Sequence, residues 1–479
     1  MDAREGDERG TGEERGTPEE RGAEDMPATR LRRSAALGRL AATEAAKYAG
    51  TYAANLRRSP EEAEDALGRR QVDAARQMVR VLGSMKGVAM KLGQTLSVAD
   101  LSAVPEPHRA EVQATLAQLR DAAPAVPFKD MRGVLEREYG ERLQDVFADF
   151  DPEPVAAASI GQVYRARLHD RREVAVKVQY PGIAAAVRAD LQNLGPLLRI
   201  AKQIIPGLDV DGTAAEVRER MHEELDYELE AANQRAVARV HRGHPFIVVP
   251  EVIGDLCREK VIVAEFVEGL SHERIRELGQ AERDRVAEII FRFYFGCMYR
   301  HHQFSGDPHP GNSLLMADGR MAFLDFGLFK RISAQAADSE LEIQRLGVEG
   351  RGEEMIEKMA AAGMLPHPER ATPEGVLAQF RAYSGWFTTD AELELDPGLA
   401  TRIVLEFSDP LQGQFQQIRH ERLPAEHVFG RRLEMMTLAV MSQLRPRGNW
   451  FRIAREWMYG AEPETELGRL EAAYYGGRR

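Results

Sequence analysis

The feature that most constrains the fold of this chain is a change of hydrophobic period along it. Between residues 159 and 269, short segments alternate apolar and polar positions or are rich in β-branched residues, as strands do. They are SIGQVYRARL (159–168), EVAVKVQY (173–180), FIVVPEVI (246–253) and KVIVAEFVEG (260–269). A long acidic helix is predicted at about 213–241, and the pattern after residue 330 is helical. This order predicts an α+β fold with a mostly β lobe followed by a mostly helical one.

Helical periodicity also precedes the first strand. One helix is predicted from Leu31 to about Leu56, and a second from about Glu61 to Ser97, where apolar residues recur at steps of three or four. Prolines then punctuate a helical hairpin predicted at about 106–146. The second helix carries KLGQ (91–94), which places a lysine and a glutamine near an apolar face.

Composition narrows the classes of function. The net charge of −12 disfavours non-specific binding to nucleic acid, whose phosphates would repel the chain. With only Cys257 and Cys297 present, we expect neither a disulfide framework nor a thiolate zinc site, and a reducing compartment fits. No secretory signal and no apolar run long enough to cross a bilayer is predicted. We therefore expect a cytoplasmic protein, either soluble or peripheral at the inner face of the membrane.

The polar chemistry concentrates in SGDPHPGN (305–312) and a following DFG. Asp307 precedes Asn312 by five positions, and Asp325 follows Asn312 by thirteen. The catalytic loop of protein kinases has the same five-residue step between its base and a metal ligand. Asn312 and Asp325 would offer magnesium the oxygen ligands it prefers, and Asp307 would orient the phosphate acceptor. An Asp318-Gly319 turn predicts a hairpin leading to Asp325.

A candidate for phosphate binding lies upstream. Lys177 ends the predicted strand of VAVK, where it could reach the phosphates of a nucleotide. Such a lysine needs a fixed anion, and the acidic helix offers Glu224, Asp226 and Glu230, although a solvated acidic face is the alternative. A kinase has a glycine-rich loop between its first strands, whereas this chain has three alanines and a single Gly161. Because alanine restricts the backbone more than glycine, the triphosphate would sit differently.

Two other interpretations use the same loop. The first is a zinc or iron site made of His301, His302, Asp307 and His309. It leaves Lys177 unexplained, and the two adjacent histidines also suit the C-terminal end of a helix predicted over 281–302. The second is an antibiotic-type phosphotransferase, which shares the Asp-to-Asn loop but does not account for KLGQ or the alanines.

Taken in order, seven motifs resemble the UbiB/AarF/ADCK family of atypical kinase-like proteins over about residues 75–330. They are KLGQ, AAASIGQVYRA, VAVKVQYPG, ELDYELEAAN, FVEG, GDPHPGN and LDFG. The resemblance implies a protein-kinase-like two-lobe fold, with an N-terminal helical extension packed over the active site and a helical C-terminal region. The expected parts are a disordered acidic tail (1–30), the extension (31–146), the N-lobe (147–269), the C-lobe (270–465) and a C-terminal tail (466–479).

The resemblance also implies roles for individual residues. Lys177 and Glu224 would form the lysine–glutamate pair, with Asp307 catalytic and Asn312 and Asp325 as magnesium ligands. Nucleotide contacts would fall on Ala156, Ala157, Ala158, Ser159, Lys177, Glu265 and Val267. The KxGQ residues Lys91, Gly93 and Gln94 would project toward the nucleotide, with Asp226 or Glu230 as partners.

The activity that the resemblance implies uses ATP and Mg²⁺. It is a magnesium-dependent ATPase or a small-molecule or lipid kinase that supports isoprenoid-quinone or membrane-lipid metabolism, with a lipid or quinone precursor as a further ligand. The alternative is a nucleotide-binding pseudokinase scaffold with little turnover. Because no Ala-Pro-Glu motif follows DFG and no arginine precedes Asp307, we do not expect ordinary regulated protein-kinase behaviour. Because the extension would cover the groove where a peptide binds, we do not expect phosphorylation of generic protein substrates.

Overall fold

The computed structural model describes residues 57–82, 126–192, 210–400 and 425–477, together with scattered positions within 47–55, 107–115, 194–202 and 402–403. Several predictions fall outside these described residues. They are the acidic tail at 1–30, most of the helix at 31–56, and the KxGQ residues Lys91, Gly93 and Gln94.

The N-terminal half builds a helical segment and then a four-stranded sheet. Its elements are α1 (Pro60–Leu82), α2 (Phe128–Tyr139), α3 (Leu143–Val146), β1 (Asp149–Ala157), β2 (Gly161–Arg167), β3 (Glu173–Gln179), α4 (Ile183–Gln192), α5 (Val210–Leu225), α6 (Tyr227–His241), β4 (Ile247–Val248) and β5 (Val261–Glu265). The sheet order is β1-β2-β3-β5, with antiparallel neighbours. The hairpin predicted across residues 169–172 is confirmed by the β2–β3 register.

Strand β3 shows how the alternating pattern builds this sheet. Val174, Val176 and Val178 are fully buried in the N-lobe core. The residues between them point to the opposite face, because successive side chains of a strand alternate. The Lys177 side chain therefore projects from the face of the sheet that α6 covers.

The acidic helix predicted at 213–241 is two helices. The helical conformation is interrupted at Asp226, whose backbone is not helical (φ −93°, ψ 85°). Its carboxylate accepts a hydrogen bond from the Leu229 amide, with an O···N distance of 2.8 Å, and so caps the N-terminus of α6. The break frees α6 to take its own orientation against β3.

The C-terminal half is mostly helical. Its elements are α7 (His272–Ile275), α8 (Gln280–His301), β6 (Gln303–Ser305), β7 (Ser313–Leu315), β8 (Met321–Phe323), β9 (Phe329–Arg331), α9 (Ala334–Val348), α10 (Gly352–Ala361), α11 (Pro373–Thr388), β10 (Leu393–Glu394), α12 (Ala425–Ser442), β11 (Arg447–Gly448), α13 (Trp450–Met458) and α14 (Glu466–Gly476). The predicted hairpin is confirmed as β7–β8, with Gly319 at φ +81° in its turn. Gly319 adopts this conformation without strain because it has no Cβ.

Helix α8 is the centre of the C-lobe core. Phe291, Phe293 and Phe295 are at most 2% exposed, and the Phe293 ring stacks on Phe323 of β8 at a centroid distance of 3.6 Å. A helix that is apolar on nearly every side belongs in the interior. Within the described part of the chain, no helix is both long and apolar enough to cross a membrane.

The segment 246–253, predicted as one strand, is divided between the two lobes. Ile247–Val248 forms β4 and pairs in parallel with β8 of the C-lobe, whereas Val252 makes an isolated antiparallel bridge to Ala264 of β5. Pro250, which has no amide hydrogen to donate, ends β4. Within the predicted C-terminal tail (466–479), residues 466–476 form α14, which buries Leu467 and Glu471.

Candidate nucleotide-binding site

The face of β3 that carries Lys177 meets the first turn of α6. Lys177 Nζ lies 2.5 Å from Glu230 Oε1, and the Glu230 side chain is only 2% exposed. The same ammonium lies 5.1 Å from the centroid of the buried Tyr227 ring. Burial alone would lower the pKa of Lys177, but the carboxylates of Glu230 and Asp325 hold it above its usual value. Lys177 is therefore a fixed cation in a partly enclosed site.

The prediction that Glu224 pairs with Lys177 is wrong, because the partner is Glu230. The prediction treated the acidic segment as one helix, whereas Asp226 starts a new helix after Glu224. Tyr227 and Glu230, three positions apart, then share the buried face of α6. Glu224 stays on α5, where it accepts a hydrogen bond from the Ser159 hydroxyl.

Asn312 and Asp325 come together through the β7–β8 hairpin. Ser313 pairs with Phe323, and the Leu324 amide donates to the Asn312 carbonyl with an N···O distance of 2.9 Å. This pairing explains the thirteen-residue spacing: the hairpin returns the chain to where it began. Asp325 Oδ1 accepts from the Gly327 amide at 2.9 Å. A Cβ at Gly327 would lie 3.4 Å from Asp325 Oδ1 and 3.5 Å from Glu230 Oε2, so both carboxylates border this glycine.

Asp307 is held beside the same hairpin. It follows β6, which pairs with β9, and the Gly306 amide donates to the Leu328 carbonyl with an N···O distance of 2.7 Å. The Asn312 side-chain amide donates to the Asp307 carbonyl at 3.2 Å. Asp307 is 8% exposed. The loop is thus tied both to the segment after DFG and to Asn312.

Two arginines near Asp307 were not predicted from the sequence. Arg220 of α5 and Arg432 of α12 both interact electrostatically with the Asp307 carboxylate. Burial, with repulsion from Arg432, lowers the pKa of Arg220 to about 10, whereas Asp307 opposes that change. The two arginines lie 212 positions apart in the sequence, so no local pattern could have joined them.

The alanine loop closes the N-lobe side. Ala156 and Ala157 end β1 and are exposed, and the Ala158 amide donates to the Gly161 carbonyl at an N···O distance of 2.8 Å. Through its bond to Glu224, Ser159 fastens this turn to α5. A Cβ at Gly161 would collide with the Val178 carbonyl and the Tyr227 hydroxyl, which explains the single glycine.

The remaining predicted residues lie at the edges of the site. The Glu265 carboxylate, on the last residue of β5, accepts from the Glu251 amide with an O···N distance of 3.1 Å. Val267 is half-buried in the segment that leads from β5 into the C-lobe. Asp226 is exposed and caps α6, as described above.

The alternative metal site at the histidines is not formed. His301 Nε2 lies 3.0 Å from the Tyr475 hydroxyl, and His309 Nδ1 accepts from the Gly311 amide. Among the residues that the structure describes, no three His, Cys, Asp or Glu side chains are grouped so as to hold a metal ion by themselves. His302 is the left-handed residue (φ 52°) that ends α8.

The residues present nevertheless fit magnesium bound together with a nucleotide. Magnesium takes few protein ligands, and phosphates and water complete its shell, so Asn312 and Asp325 suffice. Burial raises the pKa of Glu230, and the Asp325 carboxylate adds to the rise while Lys177 opposes it. Within the described residues, Glu230 Oε2 has no hydrogen-bond donor. A divalent cation beside Asp325 would offset the repulsion between these two carboxylates.

A small antiparallel sheet with a lysine–glutamate pair, above a helical lobe with an Asp-to-Asn loop and DFG, defines a protein-kinase-like protein. Comparison with known proteins narrows this class. Residues 118–356 match the ABC1 atypical kinase-like domain. The solved structure of Rv3197 from Mycobacterium tuberculosis in complex with erythromycin is similar, with 32% sequence identity and a TM-score of 0.60. The alignment covers 83% of this chain and 98% of Rv3197. The chain belongs to the UbiB/AarF/ADCK family of atypical kinases.

Curated relatives from animals agree with this assignment. The rat protein named atypical kinase COQ8B, mitochondrial, is 30% identical over 285 residues, which are 59% of this chain and 53% of that protein. The Caenorhabditis elegans protein named atypical kinase coq-8, mitochondrial, is 30% identical over 359 residues, which are 73% of this chain and 47% of that protein. The chain therefore spans about half the length of these curated relatives.

Proposed function

We propose that this protein is a magnesium-dependent ATPase or a small-molecule or lipid kinase that supports isoprenoid-quinone or membrane-lipid metabolism. Membership of an atypical kinase-like family implies the use of ATP. The link to quinone or lipid metabolism draws on the likeness to the COQ8 relatives. We extend the proposal to location: the protein works in the cytoplasm or peripherally at the inner face of the membrane.

The single observation that carries the proposal is the Lys177–Glu230 pair beside Asp325. A kinase needs a fixed cation for the α- and β-phosphates and a carboxylate for the metal, and these groups meet here. Asn312 joins Asp325 as the second protein ligand for magnesium. Bound magnesium would supply positive charge to the transferring phosphoryl group.

In this proposal Asp307 orients the attacking group. It accepts the proton of an acceptor hydroxyl in a kinase, or positions a water in an ATPase. Arg220 and Arg432 place positive charge beside the Asp307 carboxylate, which in turn favours the charged form of both guanidinium groups. Because this machinery is complete, we favour turnover over the pseudokinase alternative, a scaffold that binds ATP without hydrolysing it.

The nucleotide contacts of the alanine loop, Glu265 and Val267 belong to the same proposal. So does the cover over the site by the extension, with Lys91, Gly93 and Gln94 directed toward Asp226 or Glu230. In the described structure Glu230 already has Lys177 as its partner. The KxGQ residues would therefore act on Asp226 or on the nucleotide itself.

The test measures ATP affinity and phosphate release with and without magnesium. Asp325→Asn should lose magnesium-assisted binding and turnover while its unfolding temperature stays close to that of the wild type. Asp318→Asn, in the exposed turn of the same hairpin, is the matched control and should behave as wild type. Unchanged magnesium-dependent affinity in Asp325→Asn would reject this assignment of the DFG aspartate. Tight ATP binding without release by the wild type would favour the scaffold.

The same assay can identify the phosphate acceptor. Anionic lipid vesicles and a quinone-precursor phenol are each added to the wild type, and transfer of labelled phosphate is followed. Labelled lipid or phenol identifies a kinase, whereas faster release of free phosphate identifies a stimulated ATPase.

A second candidate function is binding of a macrolide-like molecule. It rests on the solved relative, whose structure is a complex with erythromycin and which this chain covers almost completely. Erythromycin titrated against the three buried or half-buried tryptophans, Trp386, Trp450 and Trp457, should then change their fluorescence. No saturable change would dismiss this candidate and leave the ATP proposal untouched.

A further inference from the structure

Helix α6 carries Glu230 at its N-terminal end and is held along its length by contacts with both lobes. In its middle, the Asn233 side chain donates to the Phe326 carbonyl of DFG with an N···O distance of 3.3 Å. The Gln234 side chain donates to the Pro250 carbonyl at 2.8 Å. A helix is a stiff rod, so a shift at its far end is felt at Glu230, about 15 Å away.

The far end of α6 is capped by a residue near the end of the described chain. The last carbonyls of a helix have no partner within it. The Tyr474 hydroxyl of α14 lies 3.1 Å from the Val240 carbonyl oxygen and 3.0 Å from that of Arg242, so its single proton is shared between these two acceptors. The His244 ring, just beyond α6, packs edge-on against Tyr474 at a centroid distance of 4.7 Å.

Helix α14 is itself fixed to the C-lobe. Arg292 of α8, 1% exposed, donates to Glu471 of α14 and to Glu456 of α13, with N···O distances of 2.6 to 2.9 Å. A Cβ at Gly468 would collide with Arg292 and Glu456, so the glycine lets α14 approach closely. The anchor for the end of α6 is therefore the rigid core of the C-lobe.

We propose that Tyr474 is a positioning residue for the Lys177–Glu230 pair: by capping α6 from the C-lobe, it sets where Glu230 stands relative to Lys177 and DFG. This inference rests on the proposed ATP function of that site. Tyr475 provides a comparison within the same helix, since its hydroxyl contacts His301 of α8 and the Arg300 guanidinium lies over its ring, 4.0 Å from the centroid.

The experiment compares Tyr474→Phe with Tyr475→Phe in the full chain. Each variant loses one hydroxyl and keeps its ring. Amide hydrogen exchange is measured without nucleotide, and ATP affinity and turnover with magnesium. Tyr474→Phe should speed exchange at residues 227–234 as well as 238–242, and should weaken ATP binding or turnover about fivefold, the effect of one net hydrogen bond. Tyr475→Phe should change neither.

A double variant shows whether Tyr474 acts through Glu230. In a Glu230→Gln background, Tyr474→Phe should have no further effect on ATP affinity or turnover. Faster exchange confined to residues 238–242, or equal losses in both backgrounds, would overturn the proposal and leave Tyr474 a local cap. If the wild type fails to bind ATP, the proposed function fails, yet exchange at 227–234 still decides the positioning role.

Discussion

Two ion-pair clusters in this molecule, one around the buried Arg292 and one around the half-buried Lys177, differ in how completely their polar atoms are paired. Arg292 in the C-lobe donates to Glu288, Glu456, Glu471 and Thr465, and every nitrogen of its guanidinium has a partner. Lys177 in the site pairs with Glu230, but Glu230 Oε2 has no donor among the described residues and Asp325 repels it. A saturated buried cluster holds a fold together, whereas an unsaturated one beside a cleft marks a site for a ligand.

The largest expected effect is on the saturated cluster. Arg292→Met should lower the free energy of unfolding by about 3–5 kcal/mol, because it leaves buried carboxylates without their cation. Chemical denaturation measures it. Arg274→Met, in an exposed pair with Glu277, is the control and should cost less than about 1 kcal/mol. A loss for Arg292→Met no larger than that of the control would show that the cluster does not hold α14.

The next largest effect is expected at the unsaturated Lys177–Glu230 pair, where a substitution should change activity more than stability. Glu230→Gln should reduce magnesium-dependent ATP turnover about 10- to 100-fold, since it removes the negative charge that strengthens the hydrogen bond from Lys177. Glu228→Gln, exposed on the same turn of α6, should leave turnover unchanged. Thermal unfolding should move little in either variant. A large fall in unfolding temperature for Glu230→Gln would place this pair with Arg292 as a stabilising one.

A further buried carboxylate, outside both clusters, sharpens the comparison because burial favours its uncharged form. Burial, with the nearby Glu340 carboxylate, raises the pKa of Glu434 to about 8. The folded state then keeps a proton that the unfolded state releases above pH 4.5, so stability from Glu434 falls as the pH rises from about 4.5 to 8. The Glu434→Gln side chain can still accept the hydrogen bond from Gln344. Relative to the wild type, the free energy of unfolding of this variant should rise by up to about 1.4 kcal/mol per pH unit in this window. Parallel stability profiles of the two proteins would contradict this.

The smallest effect is expected at the alanine loop. Ala157→Gly restores backbone freedom at an exposed position near the proposed phosphate site, so it should alter ATP or ADP affinity by only a few fold and unfolding by less than about 1 kcal/mol. Isothermal titration calorimetry with ATP and with ADP measures the two affinities. Identical affinities and identical turnover would show that the alanines are incidental to binding.

Much of this fold could be predicted because its signals are local. The β2–β3 and β7–β8 hairpins follow from alternation and turn residues, and α8 begins and ends within one residue of its predicted bounds. The split of the acidic helix was missed, although Asp226 is of a residue type favoured at helix N-caps and is followed by acidic residues, Glu228 and Glu230, in the next turn.

The sequence by itself determined the family, the order of the lobes and the residue types of the site, because motifs and periods are properties of neighbouring positions. The tertiary structure alone decided which glutamate meets Lys177, which arginines face Asp307, and that the last helix caps α6. Glu230 lies 53 positions from Lys177, and Tyr474 lies 234 from Val240. Partners so far apart meet only when helices and sheet pack, and packing depends on burial and shape across the whole chain and not on any local spacing.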